Sequence, residues 1–255
     1  MSQTYKLWED SDIMIEHFAP SHKATTTAVI IFPGGGYSGH AVYEGEGYAQ
    51  LFNTFGISAF VVNYRVKPHT FPLPLLDARR AIRFVRFNAE KFGISKDKVL
   101  VIGSSAGGHL AALVSTYKET ICGEGVDETD NESCIPNGQI LCYPVVTSDE
   151  GIIHQGSYKN LLGEGNLHMS DSVSPDKLAD GDTPPAFIWH TADDQIVNVT
   201  NSYRYAEALA KHKVPHELHV FPHGPHGQAL GAFIPYVAEW TNLLRRWLTL
   251  EGFAK

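Results

Sequence analysis

Val99-Leu100-Val101-Ile102-Gly103-Ser104-Ser105-Ala106-Gly107-Gly108-His109-Leu110-Ala111-Ala112-Leu113-Val114 is the stretch on which the fold turns. Its first four residues are an unbroken apolar run, the signature of a buried β-strand. The residues after Gly108 carry the spacing of a packed helix. Between them Gly103–Gly107 spells G-x-S-x-G around Ser105. A serine forced onto a sharp strand-to-helix turn projects its hydroxyl above the sheet, and only small neighbours fit such a strained backbone. The same turn aims the amide of Ala106 at a reacting carbonyl, and the helix N-terminus adds positive potential there. Ser105 is therefore the candidate nucleophile. Ser104, its neighbour, is off the apex.

Working outward, apolar segments of strand length recur at 28–32, 57–64, 99–102, 139–143, 186–190 and 217–221. Segments of helical period separate them. After Pro74, the residues Ala78, Ile82, Val85, Ala89 and Phe92 share one face, with Arg79, Arg83, Arg86 and Glu90 on others. Near the end Phe233, Val237, Trp240, Leu244 and Trp247 form a second stripe, expected to face the core. Strand–helix alternation predicts an α/β fold, a doubly wound, mostly parallel sheet with helices on both faces. No internal repeat or low-complexity linker interrupts the 255 residues, so one domain spanning 1–255 is expected.

Two regions break the alternation. Residues 122–137 are rich in Gly, Asp, Glu and Asn and read as an exposed loop. Its acids Asp127, Glu128, Asp130 and Glu132 lack the D-x-D-x-D-G order of a calcium loop, leaving a solvated charge run as the expectation. Residues 148–183 have scattered Gly and Ser and little sustained period, and are expected to form a lid or small insertion over the carboxyl edge of the sheet.

A formal net charge of −8 argues against nucleic acid or an anionic membrane surface as a partner. The opening decapeptide lacks a basic-then-apolar leader pattern, and no apolar run approaches the roughly 20 residues of a bilayer span. Cys122, Cys134 and Cys142 have no zinc-like spacing; a cytoplasmic chain with reduced thiols is expected. His212, His216 and His219 come without H-E-x-x-H or a cysteine pair, so neither a metal nor a cofactor is expected.

A serine needs a base, and the base needs an acid to hold its tautomer. Two later strands deliver candidates at their carboxyl ends. Asp193 and Asp194 follow the segment ending at His190, and His223 and His226 follow the segment ending at Phe221. Physics alone does not separate Asp193 from Asp194. His226, between Pro225 and Gly227, lies in a turn able to present an imidazole. Directly after the first core strand comes Pro33-Gly34-Gly35-Gly36-Tyr37, whose glycines let backbone amides approach a ligand. Neither a Walker-type nor a dinucleotide-binding pattern accompanies it. Tyr37 and Ser38, just past the glycines, are expected to line the acyl or alcohol pocket. His109 is expected to pack under the elbow.

With these residues in hand the chain resembles the α/β-hydrolase superfamily. More narrowly it resembles the microbial esterases related to hormone-sensitive lipase and to acetyl-xylan-esterase-like deacetylases. The likeness covers nearly the whole chain and rests on Pro33–Tyr37, Asn63-Tyr64-Arg65, Gly103–Gly108, Tyr143-Pro144, His190–Val197 and Gly224–Gly227. It implies Ser105 as nucleophile, His226 as base and Asp194 as acid. It also implies the amides of Ala106 and of Gly35 or Gly36 as oxyanion donors. The chain departs from the family pattern at Pro33, where a histidine usually stands, and at Thr191, usually glycine. The implied activity is hydrolysis of short-chain esters, acetyl above all, of small alcohols or sugars through an acyl-enzyme. Its partner would be a small ester, and homo-oligomerisation stays open. Rival readings are an arylformamidase-like amidase, a prolyl-oligopeptidase-type peptidase, disfavoured for want of a propeller-sized region, and a hydrolase-fold ligand receptor.

Overall fold

In a computed structural model, which describes residues 2–9 and 11–255, eight strands form one sheet. Met1 and Asp10, part of the stretch read for a leader, lie outside the described residues. The strands are β1 (Ser2–Lys6), β2 (Met14–Phe18), β3 (Ala28–Phe32), β4 (Ser58–Val62), β5 (Val99–Ser104), β6 (Gly138–Cys142), β7 (Ala186–Thr191) and β8 (His216–Phe221). Their order is β1-β2-β4-β3-β5-β6-β7-β8. From β4 to β8 every pairing is parallel, while β1 and β2 run antiparallel at one edge. The α/β sheet expected from the alternation is therefore present. The added edge hairpin was not anticipated: β1 is exposed along most of its length and carries no apolar run.

The helices are α1 (Val42–Thr54), α2 (Leu73–Phe87), the single turn α3 (Ala89–Phe92), α4 (Ala106–Thr116), α5 (Gln155–Leu162), α6 (Pro175–Leu178), α7 (Thr200–Lys211), α8 (Pro235–Ala238) and α9 (Trp240–Leu250). Period-2 alternation of the central strands divides the core between them. Ala28, Ile30 and Phe32 pack with α2, α4 and α7 on one face. Val29 and Ile31 pack with Tyr48 and Phe52 of α1 and with Trp240, Leu244 and Leu248 of α9 on the other. Such a sheet gathers its carboxyl ends on one edge, where the loops after β3, β5, β7 and β8 meet.

Two expectations need correcting. The loop 122–137 is not a solvated charge run. Arg80 of α2 pairs with Asp127 and Asp130, Arg79 and Arg83 share Glu124, and Arg83 also reaches Asp130. The arginines placed on polar faces are accordingly sunk beneath this strap, with Arg79 and Arg86 buried. Opposite charges far apart in sequence but in direct contact, not apolar residues, close that side of α2. The second correction concerns Phe233, which is 97% exposed and precedes α8, whereas the other four members of its stripe are buried. Among the described residues no helix is long and apolar enough to cross a membrane. Cys122, Cys134 and Cys142 are free thiols.

Candidate active site

At the end of β5 the backbone makes the turn that the G-x-S-x-G order demands. Ser105 sits at φ 54°, ψ −119°, a conformation that L-residues adopt only under constraint. The constraint is visible: the Ser105 amide donates to the Cys142 carbonyl, and the amides of Val145 and His109 donate to the Ser105 carbonyl. The flanking glycines are sterically required. A Cβ on Gly103 would lie 2.0 Å from the Gly107 carbonyl oxygen, and one on Gly107 would lie 2.0 Å from that of Phe32. Ser104 faces away from the mouth, buried, with its hydroxyl 2.7 Å from that of Tyr48.

Ser105 Oγ lies 2.9 Å from His226 Nε2, and His226 Nδ1 lies 2.6 Å from Asp194 Oδ2. A carboxylate only accepts, so Nδ1 carries the proton and Nε2 is left as acceptor for the serine hydroxyl. Asp194 Oδ1 also accepts from the amides of Ile196 and Val197, at 2.8 and 3.0 Å. Burial favours the neutral acid, but the hydrogen bonds from His190 and His226, the charge of His226 and the Val197 amide hold the carboxyl well below its usual range. The buried His190 reinforces this: its Nε2 faces both the Val197 carbonyl and Asp194, so Nε2 must donate, while Nδ1 meets the Ser202 hydroxyl.

The neighbouring Asp193 does a different job. It accepts from the Gly224 amide at 2.8 Å and pairs with His223 at 3.0 Å, both exposed to solvent. Thr191 donates its hydroxyl to the Gly224 carbonyl at 2.7 Å. Together these bonds fasten the turn that presents His226.

Opposite Ser105, the glycine loop after β3 is folded back on itself. Gly35 and Gly36 have φ of 131° and 63°. Ser38 donates to the Gly35 carbonyl through both its amide and its hydroxyl, at 3.0 Å each. Asn160 of α5 bonds the Gly36 carbonyl at 2.8 Å. The segment 148–183 contains α5, α6 and a 3-10 turn, and α5 lies directly against this loop. Among the described residues the amides of Gly35, Gly36 and Ala106 have no protein acceptor.

Of the residues expected at the pocket, Tyr37 is misplaced. It is 1% exposed, and its hydroxyl is spent on His109 Nδ1 at 2.7 Å beneath the elbow. The positive φ of 57° at Tyr37 turns the side chain inward. Ser38 is exposed, but its hydroxyl closes the loop's own turn. His109 is buried under the elbow, bonded to Tyr37 and to the Val173 carbonyl, and burial lowers its pKa to about 4. Three participants escaped the sequence reading. His190 is in sequence the end of a strand and the head of the His190–Val197 motif, with no role of its own. His154, which caps α5 through Ser157, has its pKa lowered by burial, and then by the charge of His226. Glu44, on α1, looks in sequence like an ordinary acid near a helix start.

A family profile described as BD-FAE matches residues 15–209 of the chain. The chain is 31% identical over 251 residues to an acetylxylan esterase of Xylanibacter ruminicola, covering 96% of this chain and 50% of that protein. It spans about a third to a half of the length of the first three curated relatives it matches. Among solved structures it superposes on the acetyl ester-xyloside bifunctional hydrolase from Caldicellulosiruptor lactoaceticus with a TM-score of 0.93 and 41% identity, covering 99% of this chain and 97% of that one. Esterase 2 of Thermogutta terrifontis, solved phosphonylated by sarin, superposes with a TM-score of 0.83 at 25% identity, covering 100% and 95%.

Proposed function

The chain belongs to the BD-FAE family, within the α/β-hydrolase esterases, and from that premise we propose that it is a serine carboxylesterase removing short acyl groups, chiefly acetyl, from small alcohols or sugars. The observation that carries the reading is the continuous line Ser105 Oγ–His226 Nε2 at 2.9 Å and His226 Nδ1–Asp194 Oδ2 at 2.6 Å, beside the amides of Gly35, Gly36 and Ala106, which have no protein acceptor among the described residues. In this mechanism His226 takes the Ser105 proton as the hydroxyl attacks the ester carbonyl. Asp194 orients the imidazole and stabilises its cation. The oxyanion is held by the Ala106 amide and by those of Gly35 or Gly36, each donor contributing about 3 kcal/mol to the transition state. His226 returns its proton to the leaving alcohol. Water, activated by the same histidine, then releases the acid from the acyl-enzyme.

Two lines support the narrower substrate. Tyr37, Tyr158 and Leu161 fill the space beneath the glycine loop so closely that, with His109 and Ser157, they leave no room for a water molecule, which denies a long acyl chain a channel on that side. The second line is the names of two relatives, the Xylanibacter acetylxylan esterase and the Caldicellulosiruptor acetyl ester-xyloside bifunctional hydrolase, from which acetyl is carried over to this chain. Hydrolysis of p-nitrophenyl esters from acetate to octanoate tests the reading, with Ser105→Ala as control. Turnover should peak at acetate, decline beyond about four acyl carbons, and fall by about 10⁴-fold or more in the variant. A folded wild-type protein inert on every ester, or a variant of near-normal activity, would overturn it.

A further inference from the structure

Glu44 lies in the first turn of α1, and its side chain is buried. A carboxylate in the first turn of a helix is favoured by the helix dipole, which offsets part of the cost of burying it. Its two oxygens are both used. Oε2 accepts from the Gly34 amide at 2.6 Å, and Oε1 accepts from the Tyr143 hydroxyl at 2.7 Å. The Tyr143 hydroxyl in turn accepts from the Ala229 amide at 2.9 Å, on the loop that carries His226. The Tyr143 ring stands edge-on to the His226 imidazole with centroids 5.0 Å apart.

Gly34 is wedged between this carboxylate and the elbow. A Cβ there would lie 2.7 Å from Glu44 Oε2 on one side, and 2.8 Å from the Ser104 carbonyl and 3.3 Å from Ser105 Cβ on the other. Glu44 thus holds the loop bearing the oxyanion amides directly, through the Gly34 amide, and the loop bearing the base through the Tyr143 hydroxyl. Resting on the serine-esterase reading above, we propose that Glu44 is a positioning residue, a buried clamp that fixes the glycine loop and the His226 loop in one frame. Burial pushes the Glu44 carboxyl up, against the pull of Tyr143, Gly34 and the charge of His226. Both hydrogen-bond partners are donors, so the carboxylate is the form the geometry fits.

Because the role works through hydrogen bonds and not through volume, it separates from packing by comparing two replacements of similar size. Glu44→Leu fills the space without an acceptor. Glu44→Gln keeps one acceptor, and its amide can donate to a rotated Tyr143 hydroxyl. The clamp predicts that Glu44→Leu lowers kcat on p-nitrophenyl acetate by about 10- to 100-fold with KM within about threefold. Glu44→Gln should recover at least about fivefold of that loss. Tyr143→Phe, which preserves the ring and removes the shared hydroxyl, should lower kcat by about fivefold at unchanged KM. Leu and Gln variants with equal kcat, or a Leu variant within about twofold of wild type, would overturn the clamp. Should Glu44→Leu not fold, Tyr143→Phe decides alone, and an unchanged kcat in that variant overturns it. An inert wild type would instead strike at the esterase reading, so the two failures are distinguishable.

Discussion

Two carboxylate–histidine pairs lie side by side on the loops after β7 and β8, and their chemistry is identical while their surroundings are not. In Asp194–His226 the side chains are 0% and 15% exposed; in Asp193–His223 they are 47% and 76% exposed. The exposed pair is screened by water, and its carboxylate also serves as acceptor for the Gly224 amide. The buried pair is shielded, its carboxylate saturated by two backbone amides and two histidines. Its imidazole alone reaches the Ser105 hydroxyl. A shift of one residue along the chain separates a fastener from a candidate acid. What separates them is burial and a third partner, not residue type.

Exchanging one carboxylate oxygen at a time breaks this comparison most sharply. Asp194→Asn should lower ester kcat by about 10⁴-fold, because the amide favours the wrong imidazole tautomer. Asp193→Asn keeps an acceptor for Gly224 and should stay within about threefold. Steady-state kinetics on one ester reads both, and the reverse order would move the acid to Asp193.

A smaller effect appears in acid. The Asp194 carboxyl is held below its ordinary range in the folded protein, so its contribution to stability is full above the unfolded value of about 4 and is lost as pH falls. Melting temperature followed from pH 7 down to about pH 3 should therefore fall more steeply for the wild type than for Asp194→Asn. Parallel curves would mean that the buried pair is not poised as described.

Much of the fold was legible because the central strands are apolar on both faces and bounded by turn residues. Strand β3 occupies the expected span 28–32 without a shift. The hairpin β1–β2 was not legible, since β1, Ser2-Gln3-Thr4-Tyr5-Lys6, is polar apart from Tyr5 and is held by backbone pairing and by that one ring, which packs on Phe84 and Phe92. The arginine face of α2 misled for a related reason. Sequence distance hides that Asp127 and Asp130 return to pair with Arg80, so charge looked like solvation. At the site, Ser105, Asp194 and His226 could be named because each follows a strand end within a local pattern. Glu44 carries no such pattern, and His190 heads one that points to Asp194 and gives the histidine no role of its own. They matter through contacts with residues 34, 143 and 194, which only the folded chain brings near. Tyr37 failed for the opposite reason: its position beside the glycines was read correctly, but one left-handed backbone angle turned its ring inward.

The central claim, that the Asp194–His226 pair makes Ser105 a nucleophile, is tested most directly by treating the folded protein with a fluorophosphonate and mapping the adduct by mass spectrometry. The account predicts one phosphonyl group on the peptide containing Ser105, absent in Ser105→Ala and formed far more slowly in Asp194→Asn than in Asp193→Asn. An unlabelled Ser105, or an adduct on another residue, would contradict it.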